Sequence, residues 1–255
     1  MTELGLHRVS TPDLAALRLL VERGEARCPL SRTELLACGF AASANDVIAS
    51  LGGLDTLAAT RLLDALLADR RNRPPPHLDL VWTGPEPRLS TARDTAVLVR
   101  QLFAQAERTV LVAGFSFDHG EDIFAPLHAA MQRRGVTCDL FLDIRQRAPT
   151  AEAVDGHVRA YIQRFLGMNW PFGPPFPSVH WDPRTAEPVA AASLHAKCIV
   201  VDDMRTLITS ANFTDRGQTR NIELGVLVED RTFGEACAGQ WRRLVAEGLV
   251  RRYRA

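Results

Sequence analysis

Short apolar segments alternate with amphipathic segments from residue 109 to the end of the sequence, and this alternation constrains the possible fold more than any other feature. Residues 109–115 (TVLVAGF) and 136–142 (VTCDLFL) are short apolar runs of the kind found in buried strands. Between them, residues 123–134 have the periodicity of an amphipathic helix, and Gly135 suits a helix C-terminus. Strands mixed with helices predict a layered α/β domain.

The same alternation continues through the rest of the chain. The further elements predicted are helices over 152–168 and 233–245, and strands over 193–201, 206–212 and 222–229. Before these strands, residues 169–178 (NWPFGPPFPS) combine four prolines with three bulky aromatic residues. This irregular segment could form a base-stacking platform or a lid, or a loop that packs its own aromatic residues onto the core.

The first 73 residues are predicted to form a helical N-terminal region. Thr11 can cap a helix that has Pro12 at its first position, and Ser31 with Glu34 forms a capping-box pattern. After a break at Gly52-Gly53, a stronger helix is predicted. Its broad apolar face contains Leu57, Leu62, Leu63, Leu66 and Leu67.

Three consecutive prolines, Pro74 to Pro76, follow this helical region. A helix cannot continue through them, so they predict a stiff linker. We therefore expect a helical region over 1–73, a proline-rich linker over 74–89 and an α/β domain over 90–255.

Composition excludes several classes of protein. The five cysteines are odd in number and scattered without C-x-x-C spacing, which indicates neither a disulfide framework nor a zinc site. No run approaches the ~18 apolar residues that span a bilayer, and residues 1–14 lack the apolar core of a signal peptide. A reduced, cytoplasmic setting without a membrane partner is the expectation.

The formal net charge is zero, so no global attraction to nucleic acid is expected and binding would need a local patch. Solvated helix faces are the simpler interpretation of the arginine runs. These runs contain Arg70, Arg71 and Arg73, and Arg242, Arg243, Arg251, Arg252 and Arg254.

Lys197 is the only lysine among 30 basic residues, so arginine occupies every other basic position. Lysine offers a compact ammonium and arginine a planar fork, so the two cations are not interchangeable. A position that needs a point charge close to one phosphate oxygen would resist replacement by arginine. This pattern marks Lys197 as a candidate functional residue.

The segment around Lys197 predicts a cluster of polar groups. On a strand over 193–201, His195 and Lys197 would share one face, about 7 Å apart. Asp202-Asp203 would form a turn, and Ser210 and Asn212 would share a face of the returning strand. A third strand would bring Glu223 to the same place. Three strands could therefore gather an imidazole, an ammonium, a hydroxyl, a carboxamide and a carboxylate.

This set of groups has the chemistry of phosphodiester cleavage. A neutral imidazole such as His195 can attack phosphorus and form a covalent phosphohistidine. Glu223 could accept the proton of the other ring nitrogen and so orient the imidazole. Lys197 and Asn212 could donate to the phosphate oxygens on which charge develops, without a divalent metal or other cofactor.

The spacing His195-x-Lys197-x-x-x-x-Asp202 resembles the HKD signature of the phospholipase D superfamily. Ser210-Ala211-Asn212 is similar to the Gly-Ser-x-Asn element of that family, although Thr209 stands where the family usually has glycine. The resemblance covers roughly residues 90–250. It implies an α/β fold with a mixed β-sheet flanked by helices.

The resemblance also implies a role for each matching residue. His195 is expected to be the nucleophile, with Lys197, Ser210 and Asn212 around the phosphate. Glu223 falls where bacterial endonucleases of the superfamily place the carboxylate that supports the histidine. Asp202 is expected to be structural, in the turn or on the face opposite Lys197.

The family uses two HKD motifs in each active site, whereas this chain has one. The resemblance therefore implies a homodimer in which each subunit contributes His195 across a two-fold axis. The other histidines lack a lysine two positions later; they are His7, His77, His119, His128, His157 and His180.

The arrangement of a helical region before one HKD domain resembles the DrmC family of DISARM anti-phage systems. This resemblance implies a nuclease, with nucleic acid and other defence subunits as partners. A non-catalytic subunit that binds nucleic acid or scaffolds a complex is the alternative. Lipid phosphodiesters rank below nucleic acid, because no segment resembles a membrane-binding amphipathic helix with a basic face.

His119 lies near Asp118, Glu121 and Asp122, a set that resembles a metal cluster. Acidic residues are common in the first turn of a helix, because they interact favourably with its dipole. A polar helix N-terminus is therefore the preferred interpretation, and no metal is assigned.

Overall fold

The computed structural model describes residues 5–41, 43–72, 75–85, 90–144, 147–189 and 192–254. The chain divides into two compact units, Met1–Pro75 and Pro76–Ala255. Arg73, Pro74 and residues 86–89, which belong to the predicted arginine run and linker, lie outside the described residues. No described helix is both long and apolar enough to cross a membrane.

The first unit is helical, as predicted. A short 3-10 turn (Gly5–Arg8) precedes helices α1 (Thr11–Glu22), α2 (Arg32–Ala37), α3 (Ala44–Leu51) and α4 (Thr56–Asn72). The predicted cap at Thr11 is wrong by one residue, because the Ser10 side chain accepts a hydrogen bond from the Asp13 N–H. The predicted capping box of Ser31 and Glu34 is confirmed at the start of α2.

The apolar face predicted for α4 is confirmed for four of its five leucines and is wrong for Leu57. Ala59, Leu63 and Leu67 are buried at four-residue spacing, which forms one stripe along the helix. Leu57, which was predicted to belong to this face, is 61% exposed. Leu62 and Leu66 flank the buried stripe and are partly buried against the same core.

The second unit is an α/β domain built around one mixed sheet. Its nine described strands are β1 (His77–Thr83), β2 (Arg93–Asp94), β3 (Thr109–Gly114), β4 (Thr137–Leu142), β5 (Ser178–Trp181), β6 (Cys198–Val201), β7 (Arg205–Thr209), β8 (Glu223–Glu229) and β9 (Arg251–Arg252). They lie in the order β2-β1-β8-β7-β6-β3-β4-β5-β9. Strands β3, β4 and β5 are parallel, whereas β6, β7 and β8 are antiparallel to their neighbours.

Helices cover both faces of this sheet. They are α5 (Thr95–Ala104), α6 (Gly120–Arg134), α7 (Val154–Asn169), α8 (Pro183–Ala186) and α9 (Arg231–Ala246). The larger core contains residues of α5, α6 and α7 against one face of the sheet. On the other face, α9 packs on β3, β4 and β6. The predicted helices at 123–134, 152–168 and 233–245 are confirmed as α6, α7 and α9.

The linker predicted over 74–89 is wrong, because this segment contains strand β1. His77–Thr83 lies inside the 74–89 segment, yet it pairs antiparallel with β8 along its whole length. Its sequence HLDLVWT places Leu78 and Leu80 on one face and Val81 in the core, a pattern typical of a half-buried strand. Regular secondary structure therefore resumes at His77, directly after Pro76.

One edge of the sheet collects the ends of six strands. The parallel strands β3, β4 and β5 end there, and the antiparallel strand β6 begins there, since Ala113 pairs with Cys198. Strand β7 ends and β8 begins at the same edge, where Thr209 pairs with Gly225. Loops at the carboxyl ends of parallel strands are the usual place for binding sites in such sheets.

Candidate active site

His195 and Lys197 lie just before β6 rather than within it. The predicted strand over 193–201 is therefore wrong for its first five residues, because regular pairing begins at Cys198. The Leu194 N–H donates instead to the buried carboxylate of Asp143, at 2.6 Å. Asp143 follows the end of β4, so it fixes the segment before β6 at the edge where the strand ends meet.

Lys197 and His195 are in direct contact. The Nζ of Lys197 lies 3.0 Å from His195 Nδ1 and 3.1 Å from Nε2, and it also donates to the His195 carbonyl at 3.0 Å. Lys197 is buried, whereas His195 is exposed. The Phe115 ring lies 4.7 Å from the imidazole ring and 5.5 Å from Nζ. The exposed imidazole thus contacts both an aromatic ring and a buried ammonium, which also lie close to each other.

Burial lowers the pKa of Lys197 below the ordinary lysine value, although the negative charge of Glu223 acts to raise it. Desolvation disfavours the charged form of an amine, and a nearby carboxylate favours it. Glu223 is therefore close enough to Lys197 for its charge to affect the ammonium.

Ser210 and Glu223 form the second contact of the site. Ser210 follows the last residue of β7, so the predicted strand over 206–212 is too long by three residues. Its hydroxyl donates to Glu223 Oε2 at 2.5 Å and accepts from the Leu224 N–H at 3.1 Å. Glu223 is the first residue of β8, and Asn221 Nδ2 donates to its Oε1 at 3.0 Å.

The partner predicted for Glu223 was His195. Among the described residues, the hydrogen bonds of the Glu223 carboxylate come from Ser210 and Asn221. Its link to the nucleophile candidate is indirect, through the ammonium of Lys197. Asn221, two positions before Glu223, was not among the residues predicted from the sequence.

Asn212 has an unusual environment. Its Oδ1 is buried without a hydrogen-bond partner among the described residues. Gly217 lies in a π-helical turn (Arg216–Arg220) next to the backbone of Asn212. A Cβ at Gly217 would lie 2.5 Å from the backbone carbonyl oxygen of Asn212. Buried polar groups without partners are rare, and because Oδ1 is an acceptor, a partner at this position would be a hydrogen-bond donor.

Asp202 lies at the opposite end of β6 from His195. With a positive φ of 56°, it forms the turn between β6 and β7. Its carboxylate accepts from the N–H groups of Glu107, Arg108 and Thr109 at 2.8–3.0 Å. Burial alone would raise the pKa of Asp202, but these hydrogen bonds lower it overall. Asp202 thus joins two loops of the fold and lies roughly 16 Å along the chain from Lys197, given a rise of about 3.3 Å per residue.

The aromatic segment over 169–178 packs on its own domain. Trp170 is buried, and its indole N–H donates to the carbonyls of Gly173 and Pro175 at 3.1 and 3.2 Å. The Phe172 ring stacks on His128, with 4.9 Å between their centroids. Of the two alternatives for this segment, these contacts favour the loop packed on the core.

Of the remaining sequence candidates, the acidic cluster, Arg70 and Arg242 lie on or next to helices, whereas Arg251 and Arg252 form β9. The ligand atoms of His119, Glu121 and Asp122 lie within 4.8 Å of one another on the exposed first turn of α6. In the arginine runs, Arg70 donates to the Leu6 and Val9 carbonyls. Arg242 pairs with Asp203 at 2.9 Å.

Comparison with known proteins gives one family match and several related proteins. Residues 99–245 match the family described as cardiolipin synthase, PLD-like domain. The DISARM protein DrmC of Bacillus paralicheniformis is 29% identical over 167 residues, which are 66% of this chain and 62% of that protein. This chain therefore spans less than two thirds of that relative's length.

Two solved structures resemble the domain more distantly. The phospholipase D family member Nuc from Salmonella typhimurium is 24% identical with a TM-score of 0.46, over 71% of this chain and 99% of Nuc. NucT from Helicobacter pylori is 15% identical with a TM-score of 0.46, over 69% of this chain and all of NucT.

Proposed function

The chain belongs to the PLD-like domain family, and from this membership we propose that it is a metal-independent phosphodiesterase that acts as a nuclease in anti-phage defence. The observation that carries the proposal is the contact between the buried ammonium of Lys197 and the exposed imidazole of His195. In the resting enzyme this ammonium can donate to the unprotonated ring nitrogen. When a phosphate oxygen takes its place as the acceptor, the lone pair of that nitrogen is released for attack beside a fixed positive charge.

In the proposed reaction, an unprotonated ring nitrogen of His195 attacks the phosphorus atom. A P–N bond forms while the P–O bond to the leaving alcohol breaks, which gives a phosphohistidine. Water then attacks phosphorus, the P–N bond breaks, and the phosphate product leaves. Lys197, Asn212 and Ser210 stabilise the negative charge that develops on the non-bridging oxygens.

Glu223 acts in this proposal as a positioning residue. Its carboxylate holds the Ser210 hydroxyl, and its charge favours the protonated form of Lys197. Orientation of His195 by Glu223 would require a further contact, in addition to the two that its oxygens make with Ser210 and Asn221.

The leaving alcohol needs a proton, and each chain carries one HKD motif. We propose that His195 of a second copy supplies this proton across a two-fold axis and then takes a proton back from the attacking water, which restores its protonated state. The exposure of His195 supports this arrangement, because an exposed imidazole can meet a partner without rearrangement of the fold.

The likeness to a DISARM protein supports the defence context and a nucleic-acid substrate. Other subunits of such a system would then be partners. Phosphodiesters of DNA, RNA and lipids share the group that is attacked, so the experiment must separate these substrates.

The test is hydrolysis of bis(p-nitrophenyl) phosphate, labelled DNA, labelled RNA and phospholipid vesicles in the presence of EDTA. The wild type is expected to cleave nucleic acid, and His195→Ala to lose at least about 10⁴-fold in rate. His77→Ala, a change at another exposed histidine, is the matched control. Full activity of His195→Ala would refute the proposal, and nucleic-acid binding without cleavage by the wild type would favour the scaffolding alternative.

Mixing the two proteins tests the shared site. If each site needs both histidines, random dimers in an equal mixture of wild type and His195→Ala keep about a quarter of the wild-type activity. If the two sites of a dimer work independently, the mixture would keep about half of the wild-type activity.

A further inference from the structure

A cavity of about 640 Å³ opens beside His195, on the α9 face of the sheet. The residues that define it are Asp182, Arg184, His195, Trp241, Leu244 and Leu249. Cavities of roughly 300–1,000 Å³ are typical of sites for organic ligands. Because His195 is part of the wall, a group held here would lie beside the residue proposed to attack the phosphate.

One side of the cavity is apolar and rigid. Trp241 and Leu244 lie on α9, and the Trp241 ring packs 4.7 Å from the Phe141 ring, which fixes the indole. Gly248 ends the helix with a φ of 73°, and the Val250 N–H then donates to the Leu244 carbonyl at 3.0 Å. This turn places Leu249, which is 56% exposed, in the cavity wall.

The other side is polar and equally fixed. Asp182 follows β5 and caps α8, since its carboxylate accepts from the Arg184 N–H at 2.9 Å. The same carboxylate pairs with the Arg184 guanidinium at 2.6 Å. Asp182 is buried, whereas the Arg184 side chain is 74% exposed. The cavity thus presents acceptor and donor groups opposite an aromatic wall.

We propose that this cavity receives an unpaired nucleobase adjacent to the scissile phosphate, so that the substrate is single-stranded nucleic acid. This inference rests on the proposed function. A base has a flat apolar face that can pack on an indole and a polar edge that can bond to a carboxylate and a guanidinium. An acyl chain would offer no hydrogen-bonding group to the Asp182–Arg184 pair that lines the cavity, and a base inside a duplex could not enter.

The test uses oligonucleotides in which one phosphodiester is cleavable and methylphosphonates replace all others. Four forms are compared: a single strand, the same strand in a duplex, and single strands that lack the base on either the 5′ or the 3′ side of the cleavable bond. The wild type is expected to cleave the intact single strand at least about tenfold faster than the duplex and one of the abasic forms.

Leu249→Glu introduces a charge into the apolar wall. It is expected to bring the ratio of the cleavage rates on the intact single strand and on the abasic strand closer to one. Met168→Glu is the matched control, because Met168 is a similarly exposed apolar residue, 68% accessible, on a helix outside the cavity. The control should keep the wild-type preference. If Leu249→Glu fails to fold, judged by circular dichroism, Leu249→Ser is used in its place.

Equal rates on base-containing and abasic single strands by the wild type would overturn the inference. If the wild type cleaves no diester, the proposed catalysis fails. Fluorescence anisotropy with the same oligonucleotides then tests separately whether the cavity binds a base. Base-dependent binding that Leu249→Glu weakens would support it, and binding that ignores the base would refute it.

Discussion

The ammonium nitrogen of Lys197 lies almost equally far from both ring nitrogens of His195, at 3.0 Å from Nδ1 and 3.1 Å from Nε2. In the resting enzyme it can therefore donate to whichever nitrogen lacks a proton. A compact cation is needed for this position, because the imidazole, the Phe115 ring and the strand backbone surround it. This geometry gives a physical reason for the chain's single lysine.

Lys197→Arg is expected to lower kcat/KM by at least about a hundredfold, because a planar guanidinium cannot occupy the same point beside the phosphate. The measurement is diester hydrolysis at saturating and limiting substrate. Arg133→Lys, the reverse change at an exposed position on α6, should leave the rate within about twofold. A Lys197→Arg enzyme with wild-type kinetics would contradict the role given to the ammonium.

Activity is expected to fall on the alkaline side at a pH below the ordinary lysine pKa of 10.5, because burial lowers the pKa of Lys197. As pH rises through that value, the ammonium loses its proton and no longer neutralises the phosphate. Glu223→Gln removes the charge that raises this pKa, so the alkaline limb of the kcat/KM profile should move to lower pH. The control is Glu229→Gln at the other end of β8, and an unmoved limb in Glu223→Gln would disprove the coupling.

Asp202→Asn is expected to reduce the free energy of unfolding by about 1–2 kcal/mol at pH 7, because three N–H groups lose a charged acceptor that is partly exposed to solvent. The folded pKa of Asp202 is lowered, so its stabilisation is present above the unfolded pKa and is lost as pH falls through the folded pKa. Urea unfolding at pH 7 and near pH 3 should show a smaller difference at the lower pH.

Asp203→Asn is the control for this change. Asp203 has nearly the same φ, 55°, and its partner is the exposed side chain of Arg242. Loss of this ion pair should lower the free energy of unfolding by at most about 1 kcal/mol, as for other surface ion pairs. Equal effects of the two substitutions would argue against a special role for Asp202.

Cys237 is expected to react with iodoacetamide at neutral pH. A hydrogen bond from the Cys198 thiol lowers the pKa of Cys237 to about 7, against the opposing effect of burial. The alkylation rate should therefore rise as pH increases through about 7, whereas Cys138, whose pKa burial raises, should stay unmodified in the folded protein. Cys198→Ala should move the rise to higher pH, and peptide mass spectrometry would measure it.

Local sequence patterns predicted most helices and strands of the α/β domain. The apolar run at 109–115 and the amphipathic repeat at 123–134 correspond to β3 and α6. Strand β1 was not predicted, because its pairing with β8 joins segments that are far apart in the chain. For the same reason, the start of β6 was misplaced: Asp143, from another loop, holds the residues before it.

The sequence by itself determined which chemical groups the site contains and how they are spaced, because an imidazole, an ammonium and a carboxylate at given positions follow directly from residue identity. Only the tertiary structure decided the partners of those groups. Glu223 bonds to Ser210 and Asn221, and His195 opens onto a cavity that α9 and the loop after β5 complete. Such contacts depend on the packing of elements distant in sequence, which local periodicity does not encode.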